Sequence, residues 1–283
     1  MKTTRLTNKR IVIFLVLATI FMGVLSLRYA QNKNPNYLVG LMFTPMISVI
    51  LTRVLTKEKA QNLFLRPFFK QNKWYYLLAY FATPIIAFSG AAVYFFFFPD
   101  QLDFLGSKFA YQSDLTTAGA YFKQLAIIVP LCILVNPLGG LLSCFGEEFA
   151  WRGYLLPKLS EKFSRKKAVV LTGFIWGVWH APLVYMGLNY GTDHPALGIT
   201  MMIFFCMVMN TILSSLFFKT KSVWVCVVAH AALNAIDKYT PSYLFTSMKE
   251  AHNLFIGPNL VGIIGGLGFI IVAIFCYKKM NQI

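Results

Sequence analysis

The sequence predicts an all-α polytopic membrane protein with about eight transmembrane helices and both termini in the cytoplasm. Of its 283 residues, 57% are hydrophobic and only 13% are charged, and the mean hydropathy of +0.61 is far above that of water-soluble globular domains. The apolar residues also fall into eight runs, and the basic residues lie between those runs. A soluble enzyme is thereby excluded.

The eight runs have lengths suited to crossing a bilayer as helices. They cover residues 11–27, 37–55, 74–98, 122–146, 168–187, 196–218, 222–236 and 258–277. The first run resembles the apolar part of a secretory signal peptide, but Arg28 stands where a cleavage site needs small neutral residues, so we expect a retained helix. Span seven is short, which favours local thinning of the bilayer or a water-filled cavity around it.

The net charge of +16 reflects 26 Lys and Arg against 10 Asp and Glu, so the positions of the basic residues decide its meaning. With the N-terminus inside, nineteen basic residues lie on the cytoplasmic side and six on the opposite side. The nineteen occur as four before span one, six in 53–73, five in 158–167, two in 219–221 and two in 278–279. This is the positive-inside pattern, and no Arg-rich stretch with interleaved aromatic residues accompanies it. We therefore expect the lipid bilayer as a partner and no nucleic acid.

Three charged residues lie at the end of span four, in the segment Phe145-Gly-Glu-Glu-Phe-Ala-Trp-Arg152. Left unpaired, they would cost about 8 to 10 kcal/mol on membrane-insertion scales. On a helix, Glu148 lies on the same face as Arg152, whereas Glu147 points about 140° away. We expect Arg152 to neutralise Glu148 and Glu147 to be available for acid–base chemistry. The alternative is a structural Glu–Arg network that locks the helix end near the interface.

Two further spans bring histidines into the membrane. His180 lies in span five, and His230 shares one helix face of span seven with Asn234. Counted from the nearest cytoplasmic basic residue at about 1.5 Å per residue, Glu147, His180 and His230 lie about 16, 20 and 14 Å deep. The three helices therefore deliver ionisable groups to one level. The alternative is that these side chains only form hydrogen bonds between helices.

This set of motifs resembles the CPBP family of intramembrane proteases, also called Abi, which includes CAAX-processing endopeptidases and bacteriocin-immunity proteins. The resemblance rests on EExxxR at the end of one span, a His on the next and HxxxN on a later span, and it covers about residues 120–240. It predicts a catalytic core at 120–240 within a single membrane domain of residues 1–283, with additional spans in 1–119 and 240–283. One departure is that the family's FxxxH motif carries Trp176, not Phe, four residues before His180.

The resemblance implies a peptide-hydrolysing activity on a peptide or protein substrate in the membrane. Glu147 and His180 would activate the attacking water, Glu148 and Arg152 would hold the helix geometry, and His230 with Asn234 would stabilise the oxyanion. The multi-pass protein would lie in a bacterial plasma membrane. The sequence leaves the oligomeric state and the choice of substrate open.

Three other interpretations remain open from the sequence. The residues Glu147, His180 and His230 could be zinc ligands, although the HExxH pair of many zinc proteases is absent, so we expect no cofactor. A non-catalytic immunity or scaffold protein would tolerate the loss of Glu147. A proton-coupled transporter would also place polar groups at one depth, but the two halves of the chain show no repeat.

The distribution of basic residues makes topology the first testable prediction. Both termini should lie in the cytoplasm, with Asn32 and Gly191 on the opposite side of the membrane. Single-cysteine labelling at Asn32, Gly191 and Gln282 with a membrane-impermeant reagent checks this in intact cells. Labelling of Gln282 from outside would contradict the eight-span topology.

Overall fold

The computed structural model describes residues 2–249 and 252–282, with side chains from Arg5 onward. It is 76% helical and contains no strand in this part of the chain, which confirms the all-α fold class. The helices are α1 Lys2–Asn32, α2 Asn36–Leu55, α3 Phe69–Phe97, α4 Lys108–Gln112, α5 Ala118–Leu134, α6 Asn136–Ala150, α7 Leu156–Ser160, α8 Arg165–Trp179, α9 Ala181–Tyr185, α10 Pro195–Thr220, α11 Val223–Ile236, α12 Pro241–Phe245 and α13 Leu267–Lys279.

Each of the eight apolar runs coincides with helix over much of its length. Among the described residues, five helical segments are long and apolar enough to cross a membrane: Arg5–Asn32, Asn36–Leu55, Phe69–Phe97, Ala118–Ser160 and Pro195–Thr220. The helices α8, α11 and α13 in the other three runs are shorter, with 15, 14 and 13 residues. Prolines lie inside α2, α3 and α5, as membrane helices tolerate.

The start of the eighth run was predicted wrongly. Residues 258–266 form turns, and α13 begins only at Leu267. Several glycines cause this difference: a Cβ on Gly262 would lie 2.5 Å from the backbone nitrogen of Gly257, so the segment folds closely back on itself. Only residues without a side chain permit that approach.

The helices form two compact units. Unit 1 comprises residues 1–75, 141–227 and 273–283, and unit 2 comprises residues 76–140 and 228–272. Four helices, α3, α6, α11 and α13, contribute residues to both.

Close packing of α8 on α10 organises unit 1. A Cβ on Gly177 would lie 2.5 Å from Cα of Ile203, and one on Gly173 would lie 2.9 Å from Cα of Met207. Two glycines four residues apart thus let the helix backbones touch, which is how membrane helices associate without a hydrophobic driving force. The buried amide of Asn210 donates a hydrogen bond to the carbonyl of Val169 at 2.7 Å and ties the same two helices together.

A second close approach fixes α6 in unit 1. A Cβ on Gly146 would lie 2.5 Å from the carbonyl oxygen of Met42 in α2. The helix α1 packs along α2 and places the fully buried ring of Phe14 edge-on against Trp151, with ring centroids 5.7 Å apart. The residues that follow Gly146 are therefore held by helices from the N-terminal part of the chain.

Unit 2 has an aromatic core of its own. Its buried centre consists of Phe109, Ala110, Tyr121, Ile128 and Leu244. The buried hydroxyl of Tyr121 donates a hydrogen bond to the carbonyl of Leu244 at 2.6 Å, which satisfies the one polar atom of this core ring. Two isolated β-bridges join the loop around residues 102–107 to residues 246–247.

Candidate functional site

The first part of the site is an ion pair in a short π-helical turn. The turn covers Trp151–Leu155 between α6 and α7, and such turns commonly occur at functional positions in helices. Nη1 of Arg152 lies 2.6 Å from Oε1 of Glu148, and both side chains are fully buried. The spacing of four residues therefore produces the pair that the sequence predicted.

Glu147 is held differently from its neighbour. Its side chain is also buried, at 2% exposure, and its Oε2 accepts hydrogen bonds from two indole N–H groups. The donor atoms are Nε1 of Trp176, at 2.7 Å, and Nε1 of Trp151, at 3.3 Å. Two tryptophans therefore orient the carboxylate of Glu147, and the ion pairs formed by the described residues do not include it.

His180 stands where α8 ends and α9 begins. The helix α8 stops at Trp179, and Pro182 in the first turn of α9 cannot continue its hydrogen-bond pattern. Nδ1 of His180 lies 2.9 Å from the carbonyl oxygen of Trp176. Because a carbonyl can only accept, Nδ1 must carry the proton in this contact. The neutral ring then has its lone pair on Nε2, the nitrogen that can accept a proton or bind a metal.

Trp176 contacts three of the four charged or titratable residues of this cluster. Its N–H donates to Glu147, its carbonyl accepts from His180, and the guanidinium of Arg152 lies 4.3 Å from the centre of its ring. Nε and Nη2 of Arg152 have no hydrogen-bond partner among the described residues, so the face of the indole is what stabilises that side of the cation. Sequence reasoning treated Trp176 only as a departure from a family motif and missed this role.

His230 and Asn234 belong to unit 2. Both lie on α11, four residues apart, and His230 is buried while Asn234 is partly buried. The helical spacing therefore places them on one face, as predicted. Unit 1 brings together Glu147, Glu148, Arg152 and His180, and unit 2 holds the other two predicted site residues.

A zinc site would need at least three metal-ligating side chains close together. Within the described residues, no three His, Cys, Asp or Glu side chains are grouped as a metal site would require. Oε2 of Glu147 is already engaged by two N–H donors, which leaves fewer lone pairs for a metal ion.

An apolar cavity of about 350 Å³ adjoins the cluster in unit 1. It lies between α1 and α8, and its walls include Trp151, which donates to Glu147, and Trp179, whose ring lies 4.9 Å from that of His180. Its remaining lining is almost entirely aliphatic or aromatic. The polar cluster is therefore bordered by space that suits an apolar group.

The segment that carries the Glu–Arg–Trp–His cluster is also the segment that matches a known protein family. Residues 126–236 match the model of the family described as type II CAAX prenyl endopeptidase Rce1-like. The predicted resemblance to CPBP-type proteins is thereby confirmed over this segment. The matched residues include every predicted site residue, from Glu147 to Asn234.

Two curated relatives agree with the family match. The chain is 40% identical over 50 residues to CAAX prenyl protease 2 of Methanococcus maripaludis, which covers 18% of this chain and 18% of the relative. It is 25% identical over 167 residues to lysostaphin resistance protein A of Staphylococcus haemolyticus, which covers 56% of this chain and 41% of the relative. The matched regions thus span less than half the length of either relative.

The two glutamates should differ in kind when each is replaced by glutamine. Within the described part of the chain, Glu148 is the ionic partner of the fully buried Arg152 guanidinium, so we expect Glu148→Gln to lower the free energy of unfolding of the purified protein by about 3 to 5 kcal/mol. Glu147→Gln leaves that ion pair intact and should fold normally. Denaturation in detergent, followed by intrinsic fluorescence, measures both. Equal destabilisation by the two substitutions would contradict this division.

Trp176→Phe should lower kcat strongly and change the free energy of unfolding little. The substitution removes the N–H donor to Glu147 but keeps a ring under Arg152, and a hydrogen bond to a charged group contributes about 1.5 to 3 kcal/mol. We therefore expect kcat to fall about 10- to 100-fold with KM little changed. Trp74→Phe, at a side chain that is 69% exposed, is the matched control and should leave kcat unchanged. Wild-type kcat in Trp176→Phe would show that the indole N–H does not matter.

Proposed function

We propose that this protein is an intramembrane endopeptidase that hydrolyses a peptide bond of a membrane-embedded or lipid-modified substrate. The observation that carries the proposal is the geometry around Trp176, which orients the buried carboxylate of Glu147 and the partly buried imidazole of His180. The matched family and the name of the archaeal relative support the same reaction class.

In this proposal, Glu147 and His180 activate the attacking water. The described residues form no ion pair with Glu147, and a carboxylate is one of the groups that act as general bases in enzymes. Its two hydrogen-bond donors are neutral indoles, so they orient the carboxylate without adding a positive charge beside it. The Nδ1 contact of His180 sets the tautomer that leaves Nε2 as a proton acceptor. A carboxylate and an imidazole can therefore share the work of taking a proton from water.

Glu148 and Arg152 have a positioning role in this proposal. Their ion pair neutralises two buried charges, and the guanidinium also lies against the ring of Trp176. The pair thus fixes the π-helical turn relative to the indole that holds Glu147. We assign these two residues to the geometry of the site and not to the proton transfer.

We further propose that His230 and Asn234 donate hydrogen bonds to the oxyanion of the tetrahedral intermediate. Imidazole and amide groups are both donors, and their spacing of four residues on α11 directs them to the same side of the helix. The HxxxN motif of the resembled family supports the same assignment.

The reaction we propose uses no metal. The two indole hydrogen bonds to Oε2 support this choice, because the protein itself then orients the carboxylate of Glu147 as a metal-free mechanism requires. The substrate we favour is a peptide that carries an apolar group, because the cavity beside Trp151 and Trp179 would accommodate one. The relatives named for CAAX prenyl processing and for lysostaphin resistance come from an archaeon and a bacterium, and we propose a bacterial plasma membrane as the location.

The test is hydrolysis of a prenylated CAAX peptide by the purified full chain in lipid nanodiscs. His180→Ala and Glu147→Gln should abolish hydrolysis, and Asn234→Ala should lower kcat by about 10² to 10³ with KM little changed. Removal of metal by a chelator, verified by metal analysis, should leave activity intact.

Several outcomes would contradict parts of this proposal. Wild-type activity in both His180→Ala and Asn234→Ala would show that the site is wrong. Activity lost with the metal and restored by stoichiometric zinc would show that the metal-free mechanism is wrong. If the prenylated peptide is not cut, comparing membrane peptides from cells with and without the gene tests for any other substrate, and identical peptide sets would reject protease function.

A further inference from the structure

Unit 1 carries a second cluster of charged side chains. It lines a cavity of about 370 Å³ near the ends of α1, α2 and α7 that the basic residues predict to be cytoplasmic. The cavity, called the basic pocket below, has five cationic residues in its wall: Arg10, Arg53, Lys57, Lys59 and Lys158. Two carboxylates, Glu58 and Glu161, also line it, so the wall has an excess of three positive charges.

Glu58 neutralises part of this positive charge by pairing with two of the cations. It lies 2.7 Å from Nζ of Lys158 and 3.4 Å from Nε of Arg10, and it accepts a hydrogen bond from the hydroxyl of Tyr154 at 3.0 Å. Burial by itself would raise the pKa of Glu58, but the hydrogen bond and charge of Lys158, the charge of Arg53 and the Tyr154 hydroxyl together hold this pKa below its usual value. Glu58 is therefore ionised at neutral pH and anchors one side of the pocket.

The other three cations are not paired in this way. Arg53, Lys57 and Lys59 form no ion pair with the described residues. Arg53 donates through Nη1 to the carbonyl of Lys59 at 2.7 Å and lies 5.2 Å from the ring centre of Tyr154, so its guanidinium is fixed in the wall. Its Nε is buried and has no hydrogen-bond partner among the described residues. These three groups are available to an anion.

The loop that supplies Lys57 and Lys59 has a defined shape. Lys57, Asn62 and Phe64 adopt left-handed backbone conformations with φ between 50° and 56°, which non-glycine residues rarely adopt. The loop is fastened beyond the pocket, where Nε1 of Trp224 donates to the carbonyl of Leu65 at 2.8 Å. The cations are thus presented by a preformed wall and not by a freely moving linker.

We propose that the basic pocket binds the phosphate of an anionic phospholipid headgroup. The phosphodiester of a headgroup carries one negative charge on two unbridged oxygens, and an Arg guanidinium with two Lys ammonium groups are donors that recognise it. The pocket lies at the predicted cytoplasmic interface, where basic pockets between transmembrane helices bind anionic headgroups. Free inorganic phosphate has the same chemistry and is the alternative source.

Occupancy of the pocket would act on the cluster around Glu147. Gly153 and Tyr154 line the pocket, and both belong to the same π-helical turn as Arg152. A bound phosphate would contact the wall that includes this turn, and it would therefore stabilise the turn that carries the buried ion pair. The expected consequence is a more stable protein in anionic lipid.

The experiment compares lipid binding by the purified full chain and two double variants, using native mass spectrometry and thermal unfolding in detergent. Lys57→Gln with Lys59→Gln removes two pocket charges, and Arg66→Gln with Lys70→Gln removes two charges from exposed residues just beyond the pocket. Phosphatidylglycerol and phosphatidylcholine are the lipid probes, and sodium phosphate at millimolar concentration is the soluble probe. We expect the pocket variant to bind phosphatidylglycerol about 10- to 30-fold more weakly than wild type, and the control variant to bind it as wild type does.

The outcomes are distinct. Equal weakening in both double variants, or equal binding of phosphatidylcholine, would overturn the site. Full stabilisation by sodium phosphate alone would overturn the lipid as its source. Because binding is measured without substrate, Glu147→Gln should bind phosphatidylglycerol like wild type, so a failed protease proposal and a failed lipid site are distinguishable.

Discussion

The indole of Trp176 is the contact on which the arrangement of the cluster depends. Three different parts of Trp176 make contacts. The indole N–H donates to Glu147, the backbone carbonyl accepts from His180, and the ring face lies against Arg152. A phenylalanine at this position would keep the ring and the carbonyl but would lose the donor. The tryptophan in place of the phenylalanine of the resembled FxxxH motif therefore adds an interaction to the carboxylate of this chain.

Such an arrangement requires that α8 does not rotate or slide. Gly173 and Gly177 bring α8 against α10 at backbone distance, and Gly177 directly follows Trp176. A small axial rotation of α8 would carry the indole away from Glu147, since both groups are side chains on separate helices. Gly146, next to Glu147, fixes α6 against α2 in the same way. Close backbone contact at three glycines thus supplies the rigidity that preorganised polar groups need.

Much of this could be read from the sequence, for identifiable reasons. Hydropathy identified the eight apolar runs because a helix that crosses a bilayer needs an uninterrupted apolar stretch. Helical spacing predicted the Glu148–Arg152 pair because residues four apart lie on the same face of a helix. The prediction of helix at the start of the last run was wrong because the glycine-rich turns of residues 258–266 are as apolar in sequence as a helix. The partners of Glu147 were missed because Trp151 and Trp176 read as ordinary apolar residues, and their N–H groups matter only once two helices meet.

The π-helical turn explains how a fully buried arginine can be both paired and close to a solvent-facing pocket. A π turn inserts one residue relative to an α-helix and so shifts the residues that follow around the helix axis. In this turn Arg152 points to Glu148 and the ring of Trp176, whereas Tyr154, two residues later, points to Glu58 and the basic pocket. The same five residues therefore connect a fully buried ion pair, whose electrostatic interaction is strong because its surroundings exclude bulk water, with an interface that is charged. One helical turn therefore links the wall of the basic pocket to the buried ion pair.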